Sequence, residues 1–172
     1  MPTITPERAG GSNACAFLDM LAYSELGENL LKHSENGYNI IVGSYWKSDS
    51  NHNLITFTDY SKHPNRLIDL PKLGIKSTAA GRYQLLGKYF EPYKKQLGLK
   101  DFGPLSQDLI ALQLIRECKA TSAIQQGNIK AAVTLCRSRW ASLPGAGYGQ
   151  NEHSMDVLIN AYIKAGGTII KG

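Results

Sequence analysis

The chain has 172 residues, of which 42% are hydrophobic and 19% charged, a balance typical of a globular protein rather than a disordered one. This length predicts a single domain, residues 1–172, that buries its own core. The sequence contains no apolar run of about 18 residues, and its first 13 residues lack the basic and apolar regions of a secretory signal. We therefore expect no membrane insertion and a cytoplasmic site of synthesis. The net charge of +5 favours a polyanionic partner, with nucleic acid and bacterial cell wall as the two alternatives.

The first helix is predicted around Phe17–Gly27 (FLDMLAYSELG), after a Pro- and Gly-containing lead-in, residues 1–12, that we expect to be flexible. Apolar residues recur from Ala14 onward at the i, i+3, i+4, i+7 spacing of an amphipathic helix. Gly27 predicts the helix end, two residues after Glu25. The last turn of a buried helix would hold the Glu25 carboxylate rigidly, as a catalytic group requires. Alternatively, Glu25 is a solvated side chain at a capped helix end and has no catalytic role. This stretch alone leaves both interpretations open.

A β-hairpin is predicted next. Residues Tyr38–Trp46 and Leu54–Tyr60 are rich in β-branched and aromatic side chains, and the polar segment Lys47–Asn53 separates them as a turn. A long loop is predicted next, over Ser61–Thr78, and a loop of this length in a compact domain is usually functional.

The remainder of the chain is predicted to be helical. The predicted helices cover Ala80–Phe90, Pro92 to about Gly98, Leu105–Lys119, Ile129–Cys136 and a last helix from about Met155 that ends at Gly166-Gly167. Separate runs of strands and helices indicate an α+β protein, mostly helical, with a small antiparallel hairpin forming one side of a cleft. We expect Glu25 at the edge of that cleft, because its helix leads into the hairpin.

Several common site types are excluded by spacing. The four histidines and three cysteines match no zinc motif, so no metal is predicted. The glycines of Gly145–Gly149 have neither the Walker nor the Rossmann context. Residues Asp59, Ser61 and His63 lack a nucleophile elbow and favour turn chemistry over a catalytic triad. The cysteines are an odd number without a C-x-x-C pair, which indicates buried thiols in a reducing compartment.

Glycoside cleavage is a further candidate chemistry. Most glycosidases use two carboxylates, and Glu25 is the candidate acid. A second acid would be expected in the hairpin region, where Asp49 and Asp59 lie. Aromatic faces suit the apolar faces of a sugar chain, and the candidates are Tyr38, Tyr45, Trp46, Tyr60, Tyr83 and Tyr148.

Four stretches in the same order give the chain a family resemblance. They read FLDMLAYSELG, GYNIIVG with FTDYSKHP, KSTAAGRYQLL with KKQLGLKDFGPLSQD, and WASLPGAGYGQNEH. From about residue 14 to residue 167 the chain resembles the lambda-type phage endolysins, which are peptidoglycan lytic transglycosylases. The resemblance implies a lysozyme-like fold, no cofactor, and a single catalytic glutamate that falls on Glu25.

The resemblance also implies the reaction. The enzyme would cleave the β-1,4 bond between N-acetylmuramic acid and N-acetylglucosamine and form 1,6-anhydro-N-acetylmuramic acid, acting as a lyase. Glu25 would serve as acid and then as base, so that no second carboxylate is needed. The alternatives are a hydrolytic lysozyme that recruits Asp49 or Asp59, and a non-catalytic basic glycan-binding module.

Substrate-binding residues follow from the matched motifs. The chain departs from the family pattern at Leu26, where relatives have glycine, at Asn39, often aspartate, and at Leu135, where arginine is expected. The implied substrate contacts are Asn39, Arg82, Tyr83, Gln84, Tyr148 and Gln150.

The implied biological setting is host cell lysis. We expect a monomer that acts on the peptidoglycan glycan strand and binds no nucleic acid, since no RNP motif, zinc finger or basic stripe is present. The resemblance implies that a holin releases the enzyme from the host cytoplasm to the periplasm, where it degrades the wall.

Overall fold

The structure, a computed structural model, describes residues 1–147 and 152–170 and divides into two compact units. Unit 1 consists of Met1–Ser24 and Ala111–Gly172, and unit 2 of Glu25–Ile110. Among the helices of the described ranges, none combines the length and the apolarity needed to cross a bilayer. The single-domain assignment of residues 1–172 stays a prediction.

Helices dominate the described residues, and two small antiparallel sheets accompany them, so the predicted α+β class is confirmed. In chain order the elements are α1 (Pro6–Ala9), α2 (Ser12–Lys32), β1 (Tyr45–Ser48), β2 (Asn51–Asn53), β3 (Ile68–Leu70), β4 (Ile75–Ser77), α3 (Gly87–Leu97), α4 (Pro104–Glu117), α5 (Thr121–Gln125), α6 (Ile129–Cys136) and α7 (Met155–Lys164).

The lead-in of unit 1 is more ordered than we predicted. Residues Pro6–Ala9 form α1, and the side chain of Thr5 accepts a hydrogen bond from the amide of Arg8 as its N-cap. Ile4 is only 3% exposed, and the amino group of Met1 lies 3.4 Å from the carboxylate of Asp19. Burial of an isoleucine anchors this segment against the core, whose largest fully buried members in unit 1 include Phe17, Leu18, Met20, Leu21, Ile115, Ile129 and Tyr162.

The helix that carries Glu25 breaks at Gly27, where the sequence predicted its end. Gly27 has φ 80° and ψ 161°, which is not helical, but the chain resumes helical geometry and continues to Lys32. Leu30 is 6% exposed, so the segment beyond Gly27 also has a buried face. Gly27 therefore ends the helical segment that carries Glu25, as predicted, and a second helical segment follows it within α2.

The hairpin of unit 2 is present, but its strands are shifted from the predicted ranges. Strands β1 and β2 pair with Trp46 opposite His52. The predicted strand residues Ile40 and Ile41 form only isolated bridges. Glycines with positive φ at positions 37 and 43 bend the backbone on either side of that pair, which prevents a continuous strand. The predicted long loop 61–78 contains a second hairpin, β3–β4.

The predicted helix Ala80–Phe90 is wrong in its first half. Ala80 and Leu85 pair through two backbone hydrogen bonds of 3.0 Å, which closes a tight turn. Gly81 (φ 85°) and Gln84 (φ 53°) adopt left-handed geometry in this turn, which a helix cannot contain. Helix α3 begins only at Gly87 and includes Pro92, which was predicted to open a separate helix.

The later helices agree with prediction, except for α5, which was not predicted. Helix α4 covers most of the predicted range Leu105–Lys119, α6 has the predicted bounds, and α7 ends just before Gly166. The side chains of Asn128 and Ser154 cap the two last helices, which explains why their start points could be predicted.

Candidate active site

Glu25 lies half-buried on the turn of α2 that precedes the break at Gly27. The preceding residue, Ser24, is 3% exposed and held from two directions. Its hydroxyl lies 2.7 Å from the hydroxyl of Ser142, and its carbonyl accepts a hydrogen bond of 3.0 Å from Nε2 of His153. The position of Ser24, the residue that precedes Glu25 in the chain, is therefore fixed within unit 1.

Leu26 fixes the same turn on its other side. The backbone of Gly37 packs against Leu26 so closely that an added Cβ would lie 2.7 Å from Cδ1 of Leu26 and 3.3 Å from Cγ of Arg82. Leu26 stands where relatives were expected to have glycine, and its side chain fills the space beside Gly37. Arg82 thus contacts the loop that supports the Glu25 turn.

Arg82 belongs to a buried network of charged and phenolic groups. Its side chain is 1% exposed, and its Nε donates a 3.1 Å hydrogen bond to the carbonyl of Asn36. Its Nη1 donates at 2.9 Å to the hydroxyl of Tyr83, which in turn donates at 2.6 Å to Oδ1 of the fully buried Asp108. The chain of donors and acceptors joins a guanidinium to a carboxylate through one phenol, which compensates the burial of both charges.

Tyr38 completes this network. Its hydroxyl donates to both carboxylate oxygens of Asp108, at 2.8 and 3.1 Å, and its ring lies 5.5 Å from the guanidinium carbon of Arg82. Burial raises the pKa of Tyr83 well above its ordinary value, and the nearby Asp108 adds to that rise while Arg82 opposes it. The hydroxyl of Tyr83 therefore acts as a neutral hydrogen-bond donor.

Asp108 was not predicted to take part in the site. It lies on the same face of α4 as Ala111 and Ile115, which are both buried. An acid at helical spacing from buried apolar residues is the signal that could have identified it, because a buried carboxylate requires partners.

The predicted substrate contacts have different surroundings. Asn39 is 8% exposed, and its Oδ1 accepts a 3.0 Å hydrogen bond from the amide of Glu35. Gln84 is half-buried, and its Nε2 donates to the carbonyl of Gly81 at 2.8 Å. Arg82 and Tyr83 lie inside the buried network. Tyr148 and Gln150 lie outside the described residues, so all six assignments stay predictions.

The loop that leads to those two residues is held by Glu152. Its carboxylate accepts hydrogen bonds from the amides of Gly145, at 2.8 Å, and Gly147, at 3.0 Å. These two bonds hold the pKa of Glu152 below its ordinary value, with Gly147 the stronger cause. The loop therefore has a defined backbone where it approaches residue 148.

Trp46 is less suited to sugar stacking than predicted. Its indole lies between two imidazoles, with ring centroids 3.7 Å from His33 and 3.8 Å from His52, both nearly parallel. Because both faces of the indole are covered, no sugar ring can stack on it. Of the predicted aromatic residues that the structure describes, Tyr45 is exposed, at 43%.

The triad-like motif forms turns, as predicted. Oδ1 of Asp59 accepts a 2.9 Å hydrogen bond from the amide of Ser61, and hydrogen bonds to Ser61 hold the pKa of Asp59 below its ordinary value. His63 uses both ring nitrogens on backbone groups, donating from Nε2 to the carbonyl of Leu85 and accepting at Nδ1 from the amide of Asn65. Within residues 1–147 and 152–170, no cluster of three or more potential metal ligands occurs.

The comparisons with known proteins agree with one another. A family model described as Endolysin matches residues 15–169. The chain is 53% identical to the endolysin of Escherichia phage lambda over 90% of this chain and 91% of the relative. It is 47% identical to the endolysin of Escherichia phage P2 over 97% and 98% of the two chains.

Solved structures show the same relationship. The structure of bacteriophage lambda lysozyme complexed with a chitohexasaccharide superimposes with a TM-score of 0.81, at 48% identity, covering 99% of this chain and all of the other. A second structure of lysozyme from bacteriophage lambda gives a TM-score of 0.78 with the same coverage. The predicted lysozyme-like fold is therefore confirmed.

Proposed function

Because this chain belongs to the endolysin family, we propose that it is a peptidoglycan lytic transglycosylase with Glu25 as its catalytic acid and base. The proposed reaction cleaves the β-1,4 bond between N-acetylmuramic acid and N-acetylglucosamine and leaves a 1,6-anhydro end. The complex of the related lambda lysozyme with a chitohexasaccharide supports a glycan substrate, since that ligand is likewise a β-linked chain of amino sugars.

The observation that carries the proposal is the state of the carboxylates in unit 2. Unit 2 contains nine aspartate and glutamate residues, all of them described. Asp108 is fully buried and accepts hydrogen bonds from the hydroxyls of Tyr38 and Tyr83, whereas seven others are largely exposed. Glu25 is the remaining one, and it is half-buried. A mechanism with one carboxylate needs such a group, partly shielded from water and still accessible.

In the proposed mechanism the Glu25 carboxylic acid first protonates the glycosidic oxygen, and the bond to C1 of N-acetylmuramic acid breaks. The Glu25 carboxylate then accepts the proton of the C6 hydroxyl of the same sugar. The C6 oxygen bonds to C1 and closes the anhydro ring, so that Glu25 is protonated again and no water is consumed. Asp59, exposed and bound to Ser61, is not required.

The test of the catalytic assignment is the Glu25→Gln variant with Glu28→Gln as its matched control. Glu28 lies three residues further along α2 and is exposed. Loss of the acid should lower the rate of peptidoglycan clearance by about 10²–10⁴-fold, whereas the control should clear walls at the parental rate. Unchanged activity of a folded Glu25→Gln protein would reject the assignment.

The proposal extends to the biological setting. The enzyme would act as a monomer in the periplasm after a holin opens the inner membrane, and its net charge of +5 would favour the anionic envelope. Cells that express the protein should lyse only when the inner membrane is permeabilised. Lysis without permeabilisation would contradict holin-dependent access.

A further inference from the structure

The β3–β4 hairpin of unit 2 has exposed aliphatic side chains. Leu67, Leu73 and Ile75 are 62%, 43% and 43% exposed, and all other large aliphatic side chains of unit 2 are more buried than these. Leu73 and Ile75 lie together at the hairpin tip, residues 71–75. Single exposed leucines are common on protein surfaces, whereas neighbouring ones are typical of a surface that binds a partner.

The backbone of the tip is already hydrogen-bonded within the hairpin. Ile75 pairs with Leu70 across the two strands. The amide of Leu73 donates to the carbonyl of Leu70 at 3.0 Å, and the amide of Gly74 donates to the carbonyl of Pro71 at 3.2 Å. Pro71 itself has no amide hydrogen. The tip can therefore leave water with a small loss of backbone hydration.

The rest of the hairpin is packed within unit 2. A Cβ atom added to Gly43 would lie 3.2 Å from Cγ2 of Ile68 and 3.6 Å from Cδ2 of Leu70. These two residues of β3 share one face of the hairpin, since side chains alternate along a strand. Residues 71–76, in contrast, are all exposed. The packed face near Gly43 therefore holds the hairpin in place, and the tip extends into solvent.

Basic residues accompany the exposed aliphatic side chains. Four basic residues and one acid give residues 62–76 a net charge of +3, compared with +5 for the whole chain. All five are exposed: Lys62, Arg66, Asp69, Lys72 and Lys76. Lys72 lies within the tip, and the acid, Asp69, lies opposite Lys76 on the strands. Aliphatic side chains flanked by lysines complement an apolar phase that is bounded by negative charge.

We propose that the hairpin tip is a docking surface for an anionic phospholipid bilayer. Leu73 and Ile75 enter the boundary between headgroups and acyl chains, and Lys72 and Lys76 bind lipid phosphates. A stable protein interface buries about 800 Å² on each partner, which a tip of this size cannot supply, whereas a fluid bilayer imposes no such minimum. The tip contains no residue of the proposed catalytic machinery, so this proposal does not rest on the proposed reaction.

Charge and apolar burial contribute separately to the expected binding. Each lysine near an anionic bilayer strengthens binding by about fivefold, so Lys72→Ser should weaken it by that factor. Burial of the exposed part of a leucine side chain is worth about 3–10-fold, which Leu73→Ser should remove. Binding should also weaken as salt is added, because ions screen the attraction between lysines and phosphates.

The experiment is flotation of the purified full chain with vesicles, in the absence of peptidoglycan. We expect the chain to float with vesicles of equimolar phosphatidylcholine and phosphatidylglycerol at low salt, and to stay behind with vesicles of phosphatidylcholine alone. The matched controls are Leu135→Ser, at a side chain that is 44% exposed, and Lys130→Ser, at an exposed lysine. Both lie on α6 in unit 1, and both variants should float as the parent does.

Three results would overturn the proposal. The first is equal binding to the two kinds of vesicle, and the second is an equal loss for Lys72→Ser and Lys130→Ser, which would make net charge the sole cause. The third is self-association of the lipid-free parent that Leu73→Ser abolishes in analytical ultracentrifugation, because the tip would then bind a second copy of the chain.

Hydrogen exchange on the parent chain makes the test independent of how any variant folds. Anionic vesicles should slow amide exchange within residues 71–76, since a bilayer that covers the tip excludes water from it. Exchange that is unchanged there, or protection confined to another segment, would also overturn the proposal.

Discussion

Replacing Tyr83 by phenylalanine distinguishes a supporting role of the buried network from direct substrate contact. The substitution deletes the hydroxyl that accepts from Nη1 of Arg82 and donates to Oδ1 of Asp108. Asp108 keeps the hydrogen bonds from Tyr38, and Arg82 keeps its bond to the carbonyl of Asn36. The variant therefore loses one link between two buried charges while the rest of the network remains.

The magnitude follows from the charged partners. A hydrogen bond to a charged group contributes about 1.5–3 kcal/mol, so we expect the free energy of unfolding to fall by about 2–3 kcal/mol. For a protein of this length the Tm should decrease by about 4–12 °C. At temperatures where the variant is folded, its KM for peptidoglycan should match that of the parent, because Tyr83 is 6% exposed.

Thermal unfolding followed by circular dichroism, with steady-state kinetics on the same samples, measures both quantities. Tyr89→Phe is the matched control, since Tyr89 lies on α3 and is 42% exposed. The control should change stability by less than about 0.5 kcal/mol. An unchanged Tm together with a raised KM for Tyr83→Phe would refute the supporting role and favour direct substrate contact.

Three further predictions concern local structure. Gly37→Ala should lower the free energy of unfolding by about 1–3 kcal/mol more than the control Gly74→Ala. Both sites have positive φ, but only Gly37 is crowded, by Leu26 and Leu31. Equal losses for the two variants in a denaturant titration would show that packing at Gly37 does not matter. His63 should weaken the fold in mild acid, because burial lowers its pKa below 6.5 in the folded state. Its contribution to stability is complete above about pH 6.5 and is lost as the pH falls toward the folded-state pKa. The Tm of the parent should therefore drop more steeply than that of His63→Gln between about pH 7 and pH 5. Equal slopes would contradict this role. Glu152→Gln should speed amide hydrogen exchange at Gly145 and Gly147, because its carboxylate accepts hydrogen bonds from both amides. In the parent, the protection of these amides against exchange should persist above the ordinary glutamate pKa of 4.5 and disappear as the pH falls through the lowered pKa of Glu152. Protection that does not depend on pH would contradict the assignment.

The helices with strong local signals could be predicted from the sequence. Helices α6 and α7 combine apolar residues at helical spacing with capping residues, Asn128 and Ser154, that determine their first turns. The turn at Ala80–Leu85 could not be predicted in the same way. Its apolar pattern resembles a helix, but the left-handed geometry of Gln84 depends on pairing with distant backbone groups such as the carbonyl of Ile40.

The candidate site shows the same division between local and distant causes. Glu25 could be proposed as the catalytic residue because its motif is local and its family resemblance is specific. The burial of Arg82 could not, because its network depends on Asp108, which lies 26 positions away in the chain. Since a charged side chain is exposed by default, only its partners in the folded chain reveal that it is buried.

The most direct test of the proposed reaction is the source of the oxygen at the cleaved end. Peptidoglycan is digested by the purified protein in water enriched with heavy oxygen, and the fragments are analysed by mass spectrometry. Ring closure by the C6 hydroxyl adds no water, so the account predicts anhydro ends without heavy oxygen. Glu25→Gln should release fragments at a rate lower by about 10²–10⁴-fold. Reducing N-acetylmuramic acid ends that carry heavy oxygen at C1 would contradict it and identify a hydrolase.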